Sequence, residues 1–447
     1  MPDLGVVLLA LAALVIGAAG YAVYRGLDVR LALIVAAFAL AGLAGDVAPI
    51  VREFLATFSN EKFVVPICTA MGFAYVLRHT ECDQHLVRLL TRPLRSARLF
   101  LIPGVVVVGF LVNIPVISQT STAVCLGAVV VPLMRAARLS GVTIGASILL
   151  GASIGGELLN PGAPELNSVG QRLGVSSTEI VPEVAPLVLP HLALATGMFW
   201  VLCVRAERRA GEATPIADAP GAPVPEHGVN LLRALVPMLP LVLLFLAGPP
   251  LNVIRVPERF LVSPKEAYYE TRLIGAAMLV GVLAAGLAHP SRIRGVPKAF
   301  FDGAGYAFAE VISLIVTASC FGKAVEQIGL AALIGRAIQE VPGALLPVAG
   351  YVPLGFAVLS GSGMAATQSL YGFFVDPAIA VGVDPKQVGA VVSIGAAAGR
   401  TMSPVAAVAL MSAKLTGTNS FQLARRVALP LLVSLAIVIA LRMGRSI

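Results

Sequence analysis

The chain has 447 residues, of which 57% are hydrophobic and 13% charged, with a formal net charge of +8 and a mean hydropathy of +0.90. Soluble domains carry about 25% charged residues, so this composition excludes a water-soluble domain and makes the bilayer the solvent for most of the chain. The basic excess does not mark a nucleic-acid surface either, because the arginines and lysines fall in short loops between apolar segments, the pattern of membrane topology.

In chain order, residues 1–58 read as N-terminal transmembrane helices. The first, "LGVVLLALAALVIGAAGYAVY", follows "MPDLG", which lacks a positive n-region, so a retained helix is expected rather than a signal peptide. Residues 59–206 read as a first repeat, 207–229 as an extended Pro- and Ala-rich linker, 230–300 as further transmembrane helices, and 301–447 as a second repeat with a last transmembrane helix. Three matches in the same order support the duplication. "TAMGFAYVLRHTECDQHLVRLL" resembles "TASCFGKAVEQIGLAALIGRAI", "SQTSTA" corresponds to "SGSGMA", and "GASILLGASIGGELLNPGAP" matches "GAVVSIGAAAGRTMSPVAA".

Within the first repeat, residues 99–138 are apolar except at their centre, where Asn113, Pro115 and the run Ser118, Gln119, Thr120, Ser121, Thr122 interrupt them. Each arm is about 14–16 residues, or ~21–24 Å at 1.5 Å per residue, too short for two full spans. Arg92, Arg95, Arg98, Arg135 and Arg138 flank both ends, which implies a re-entrant hairpin opening on the cytoplasmic side. The corresponding stretch, 342–381, is flanked by Glu340, Asp376 and Asp384, so the second hairpin is expected from the opposite face. The fold class that follows is an all-α polytopic membrane protein with two inverted-topology repeats, each carrying a re-entrant helical hairpin and a broken transmembrane helix, at 142–172 and 386–415.

The polar interruptions are the candidate site. Ser118, Thr120, Ser121 and Thr122 at one tip, Ser360, Gly361, Ser362 and Gly363 at the other, and Asn160, Thr401 and Ser403 beside the breaks are candidate substrate-binding residues. Pro161, Gly162 and Pro404 break the helices, freeing N–H groups whose partial positive charge suits a small anion. The plain alternative for each hydroxyl is a bond back to its own helix. Arg400, costly within a membrane segment, either grips a carboxylate with its planar fork or pairs with Glu157 at the matching position of the first repeat. Glu157, if unpaired, and Glu310 are proton-coupling candidates; helix packing is the alternative for Glu310. His191 reads as a packing histidine. The cysteines Cys68, Cys82, Cys125, Cys203 and Cys320 are scattered without ligand spacing, so neither a metal nor a cofactor is expected.

At "SGSGMAATQSLYGFF", "GRTMSPVAAVAL" and "MGFAYVLRHTECDQHLVRLLTRPL" the chain resembles the DcuC family of anaerobic C4-dicarboxylate carriers, over most of residues 60–440. The family pattern falls on Gly361, Ser362, Gly363, Gly399, Arg400, Thr401, Ser403 and Pro404. "GGELLNPGAPELN" departs from it. The resemblance implies a place in the ion-transporter superfamily, an elevator-type architecture, a homodimer in a bacterial inner membrane, and fumarate, succinate or malate as substrate. Sodium-coupled relatives carry Ser-Asn-Thr at both tips; here the tips read Ser-Gln-Thr-Ser-Thr and Ser-Gly-Ser-Gly.

The expectation is therefore a secondary active transporter of small carboxylates, by exchange or coupled to H+ or Na+, with membrane lipids as its surroundings. A carrier of another organic anion, a passive channel and a membrane-embedded enzyme are the alternatives. The last lacks any HExxH, paired-aspartate or Ser/His or Cys/His constellation.

Overall fold

The computed structural model describes residues 4–96, 100–210, 228–247, 253–262, 269–329 and 340–444. Arg98 and most of the stretch read as a linker lie outside them. Residues 207–210 of that stretch are helical: the long helix beginning at Ser177 continues to Ala210. Its last turns stay helical because the Glu207 carboxylate accepts the hydroxyls of Ser140 and Thr143, each at 2.5 Å, so a charged run that reads as loop is held by a specific partner.

Among the described residues there is no strand, and nine helical segments are long and apolar enough to cross a membrane. The first part comprises α1 (Leu4–Tyr24), α2 (Val29–Ala44), α3 (Ala48–Phe58), α4 (Glu61–Thr80) and α5 (Cys82–Thr91). Caps set these ends: Asp28 accepts the Arg30 N–H at 2.8 Å and Asn60 accepts that of Lys62 at 3.0 Å. There follow α6 (Leu101–Asn113), α7 (Gln119–Ala136), α8 (Gly141–Ser153), α9 (Pro164–Leu173) and α10 (Ser177–Ala210). Then come α11 (Leu231–Leu235), α12 (Leu239–Ala247), α13 (Tyr269–Ala288), α14 (Val296–Ala307) and α15 (Ser313–Gln327). The last group is α16 (Leu345–Ser360), α17 (Gly363–Leu370), α18 (Gly372–Ala380), α19 (Pro385–Met402), α20 (Ala407–Thr416) and α21 (Ser420–Met443).

Packing sorts these helices into two groups that also touch each other, α15 against α17 and α4 against α9. In one, α4 lies against α13 and α14, while α15 lies against α2 and α3. In the other, α6 packs on α8, α16 on α19, and α10 on α21. The second body is interleaved, because α20 packs on α7 and α8 while α9 packs on α17 and α19. Its central segments are the most enclosed of the nine: 89% of the apolar window in Gly141–Leu173 and 78% of that in Pro385–Thr416 is buried, against at most 61% elsewhere. Leu283, Leu287, Phe301 and Phe421 are exposed on the outside, as an apolar solvent requires.

Glycines bring the central helices together. A Cβ on Gly395 would lie 2.2 Å from the Gly350 carbonyl oxygen, and one on Gly399 2.1 Å from that of Leu354. Likewise a Cβ on Gly151 would lie 2.9 Å from the Val106 carbonyl oxygen. In lipid, where no hydrophobic drive joins helices, backbone approach of this kind is what holds them. It fixes α8 against α6 and α19 against α16, and so sets where each of the two central segments ends.

Candidate functional site

Both central segments stop part-way. In the first, α8 ends at Ser153, a tight turn covers Gly156–Leu159, and Asn160, Pro161 and Gly162 carry the chain to α9, which opens on Pro164 and Glu165. Proline cannot donate the N–H that an unbroken helix needs, yet is well suited to a first helical position. In the second, α19 ends at Met402 and residues 403–406, with Pro404, separate it from α20.

Two amides fasten the first break to the turn between α6 and α7. Asn160 donates to the Ile114 carbonyl at 2.9 Å and accepts the Gly162 N–H at 2.9 Å. Asn113 donates to the Val116 carbonyl at 3.0 Å and accepts the Glu157 N–H at 3.2 Å. Thr122 donates its hydroxyl to the same Val116 carbonyl at 3.2 Å. Ser118 caps α7 by accepting the Ser121 N–H at 3.3 Å. Backbone groups that a continuous helix would satisfy are thus paired by side chains, as a buried irregular segment demands.

The turn between α16 and α17 rests on the second break. Gly361 adopts φ +71°, which non-glycine residues avoid, and its α-carbon faces the Ala406 backbone, 3.2 Å from where a Cβ would stand. Ser362 caps α17 by accepting the Ala365 N–H at 3.2 Å, and the Ser360 hydroxyl accepts the Ser362 N–H at 3.3 Å. A Cβ on Gly363 would come within 3.2 Å of an Arg400 guanidinium nitrogen, so this turn touches the cation directly.

Arg400 is 6% exposed and fully engaged in the first break. Its Nε donates to the Ser153 hydroxyl at 3.2 Å, one terminal nitrogen to Glu165 at 3.1 Å, and the other to the Ser153 carbonyl at 3.0 Å and to Glu157. Thr401 adds a hydroxyl contact to the Ser153 carbonyl at 2.7 Å. Both acids are buried, Glu157 at 0% and Glu165 at 2% exposure. One cation therefore faces two carboxyls. The second oxygen of Glu157 has no hydrogen-bond partner, and neither does the hydroxyl of Ser403.

A cavity of about 160 Å³ opens between the two bodies at this point. Its walls come from Ser118 to Thr120, Pro164 and Glu165, Gly361 to Met364, Arg400 and Ala406 to Val408 on one side. Met71, Tyr306, Glu310 and Leu314 close the other. Among the described residues, four helix N-termini meet here, those of α7, α9, α17 and α20. The first N–H groups of a helix have no intrahelical acceptor, and each terminus carries roughly +0.5 charge. Glu310 lies in a π-helical turn, Phe308–Ile312, between α14 and α15, with Arg30 at 3.6 Å. Such turns are frequent at functional sites.

Ser121, Thr122, Asn160, Pro161, Gly162, Ser360, Thr401, Ser403, Pro404 and Glu157 do not line the cavity. They stand behind its walls, most of them in the hydrogen bonds just described. A larger cavity of about 330 Å³, bordered by Glu53, Arg172, Lys323, Glu326 and Asp376, lies toward the other ends of α9 and α17. Its charges are mixed and it shares no lining residue with the smaller one, so we place the site in the smaller cavity.

The model of the C4-dicarboxylate anaerobic carrier family, DcuC, matches residues 59–445. The chain belongs to the DcuC family. It is similar to the anaerobic C4-dicarboxylate transporter DcuC of Escherichia coli K12, 25% identical over 391 residues that cover 82% of this chain and 77% of that one. Two putative uncharacterized transporters of Haemophilus influenzae also match. One is 38% identical over 92 residues, 21% of this chain and 63% of the relative, just under two thirds of its length. The other is 29% identical over 202 residues, 45% and 69%. Family and relatives are transporters, not enzymes.

In this DcuC-family chain, sequence reasoning passed over Glu165, Ser153 and Tyr306, and named Gln119 only as a member of the polar run. Glu165 carried one local signal: it follows Pro164 directly after a break, where an acid at a helix N-terminus is favoured. Nothing in the text placed it against Arg400, 235 positions away.

Proposed function

We propose that the chain is a secondary active transporter that carries a C4-dicarboxylate such as fumarate, succinate or malate across a bacterial inner membrane, by exchange or with a coupling proton. One observation carries the reading: the four helix N-termini around a small cavity inside an apolar body. A helix N-terminus favours an anion; Glu165 already meets that preference at α9, whereas α7, α17 and α20 carry no acid in their first turns and are left for an anionic substrate. That the E. coli relative is an anaerobic C4-dicarboxylate transporter supports the same substrate class.

In this reading α6–α7 and α16–α18 are the two re-entrant hairpins of an inverted repeat, and Ser118, Thr120, Ser362 and Gly363 meet the substrate at their tips. Asn160, Thr122, Thr401 and Ser403 hold the breaks in shape. Arg400 supplies the fixed cation, and Glu157 balances it from behind. The body that holds both hairpins moves, elevator-fashion and within a homodimer, against the body that contributes Met71, Tyr306 and Glu310. Because these residues form one wall of the cavity, that movement would uncover the site.

Counterflow in proteoliposomes tests this. Vesicles preloaded with unlabelled mono-, di- or tricarboxylates are given labelled succinate, with and without sodium. Transient accumulation is expected with C4-dicarboxylates inside and not with monocarboxylates. Linear, non-saturating flux without counterflow would show a channel and end the carrier reading.

A further inference from the structure

We infer that Glu165 takes up and releases the proton that accompanies the dicarboxylate, an inference that rests on the transport reading above and adds the identity of the coupling residue. The geometry supplies the reason. Arg400, Glu157 and Glu165 form a closed buried group with one positive and two acidic members. With both acids ionised the group carries a net negative charge beside the place an anion must occupy. A buried uncompensated charge is costly, and a dianion alongside makes it costlier. One proton on the pair removes the excess.

Access decides which acid exchanges that proton. Glu165 lines the cavity, whereas Glu157 does not and is wholly enclosed. Glu165 is also held by a single guanidinium contact at 3.1 Å. The charged and titratable groups facing it are few. Arg400 and Glu157 touch or adjoin it, and Tyr306 and Glu310 face it across the cavity. Of the other helices packed on α9, α4 offers Met71 and α17 offers Gly363 and Met364, none of them titratable. From α10, Glu179 is taken by Lys386 at 2.7 Å.

The sequence of events is then simple. A proton from cavity water binds a Glu165 carboxylate oxygen and releases its contact to Arg400. The new O–H donates to one substrate carboxylate, and the freed guanidinium N–H donates to the same anion. When the substrate leaves on the other side, the Glu165 proton passes to water there and the carboxylate returns to Arg400. Because linkage is reciprocal, the proton tightens substrate binding as much as the substrate tightens proton binding.

The test uses the full chain in proteoliposomes with labelled succinate. For the wild type, an inward proton gradient should drive accumulation, and above the pH midpoint the affinity for succinate should weaken by ~10-fold per pH unit, as one linked proton requires. In Glu165→Gln, gradient-driven accumulation should vanish, and whatever counterflow remains should be independent of pH. Glu157→Gln should keep a pH-dependent affinity. Gradient-driven accumulation by Glu165→Gln would overturn the inference. If that variant fails to insert, proton uptake by detergent-solubilised wild type on adding succinate, in weakly buffered solution, decides the matter: no uptake overturns it. A wild type without any dicarboxylate counterflow would instead fail the transport reading itself, whereas pH-insensitive counterflow in the wild type fails only the proton assignment.

Discussion

Replacing Arg400 by methionine should destabilise the folded chain by roughly 3–5 kcal/mol at neutral pH, the usual cost of removing one partner from a buried ion pair. The structure gives an independent route to that figure. Without the guanidinium, Glu157 and Glu165 lose their shared cation at 0% and 2% exposure. The folded variant must then hold at least one more proton on this pair than the wild type does. An ordinary glutamate ionises near 4.3, so protonating it at pH 7 spans 2.7 pH units at 1.36 kcal/mol each, about 3.7 kcal/mol. The sign follows from proton counting. The folded variant binds one more proton than the folded wild type while the unfolded chains bind equal numbers, so its deficit grows with pH and shrinks toward about 1 kcal/mol at pH 5. Thermal unfolding in detergent, read with a thiol-reactive dye, suits this chain because Cys82, Cys125, Cys203 and Cys320 are buried. The triple variant Arg400→Met, Glu157→Gln, Glu165→Gln should recover most of the loss, since neutral groups need no cation. A single variant that unfolds at the wild-type temperature at pH 7.5 would refute the argument.

Gly399→Leu should prevent stable assembly, and Gly151→Leu should be nearly as severe, because each added Cβ meets backbone, at 2.1 and 2.9 Å, that cannot rotate away; monodisperse protein from Gly399→Leu in size-exclusion chromatography would contradict this. Asp83, in α5 and 1% exposed, has its carboxyl raised to about 6 by burial, against the Cys125 thiol that donates to it at 2.8 Å. The folded chain therefore keeps a proton that the unfolded chain loses, so stability falls as pH rises from 3.8 to about 6 and is level above. Asp83→Asn should remove that loss, raising the unfolding temperature at pH 7.5 by the equivalent of up to about 3 kcal/mol, with no gain at pH 4; equal effects at both pH values would count against it.

What the text of the chain reveals is what covalent chemistry decides locally. Pro161-Gly162 and Ser403-Pro404 mark breaks in the text, although α10 runs through Pro182, Pro186 and Pro190, and Gly361 permits a turn that other residues resist. Low charge and high hydropathy announce a membrane chain before any helix is placed. Pairing at long range is a different matter. Arg400 stands out as a costly cation, but its partners come from 235 and 243 positions away, and only folding brings Glu165 to it. Asp83 and Cys125 are likewise unremarkable as letters and become a buried pair only when α5 packs on α7. Conversely, Thr122 and Thr401 read as site hydroxyls, yet they donate to the Val116 and Ser153 carbonyls beside the breaks.

The placement of the three charges follows one electrostatic rule. Arg400 donates to the carbonyl of Ser153, the last residue of α8, where a helix is partially negative. Glu165 sits in the first turn of α9, where a helix is partially positive. Each charge thus complements the helix end nearest to it, and the two ends belong to the same broken segment. The cation comes from the other broken segment, so neither break is electrostatically complete without its counterpart. That makes the meeting of the two breaks a condition of folding rather than a consequence of substrate. It also explains why an arginine committed to the protein can still serve an anion: its charge is fixed in place, and one acid that shares it, facing the cavity, is free to exchange a proton for a ligand.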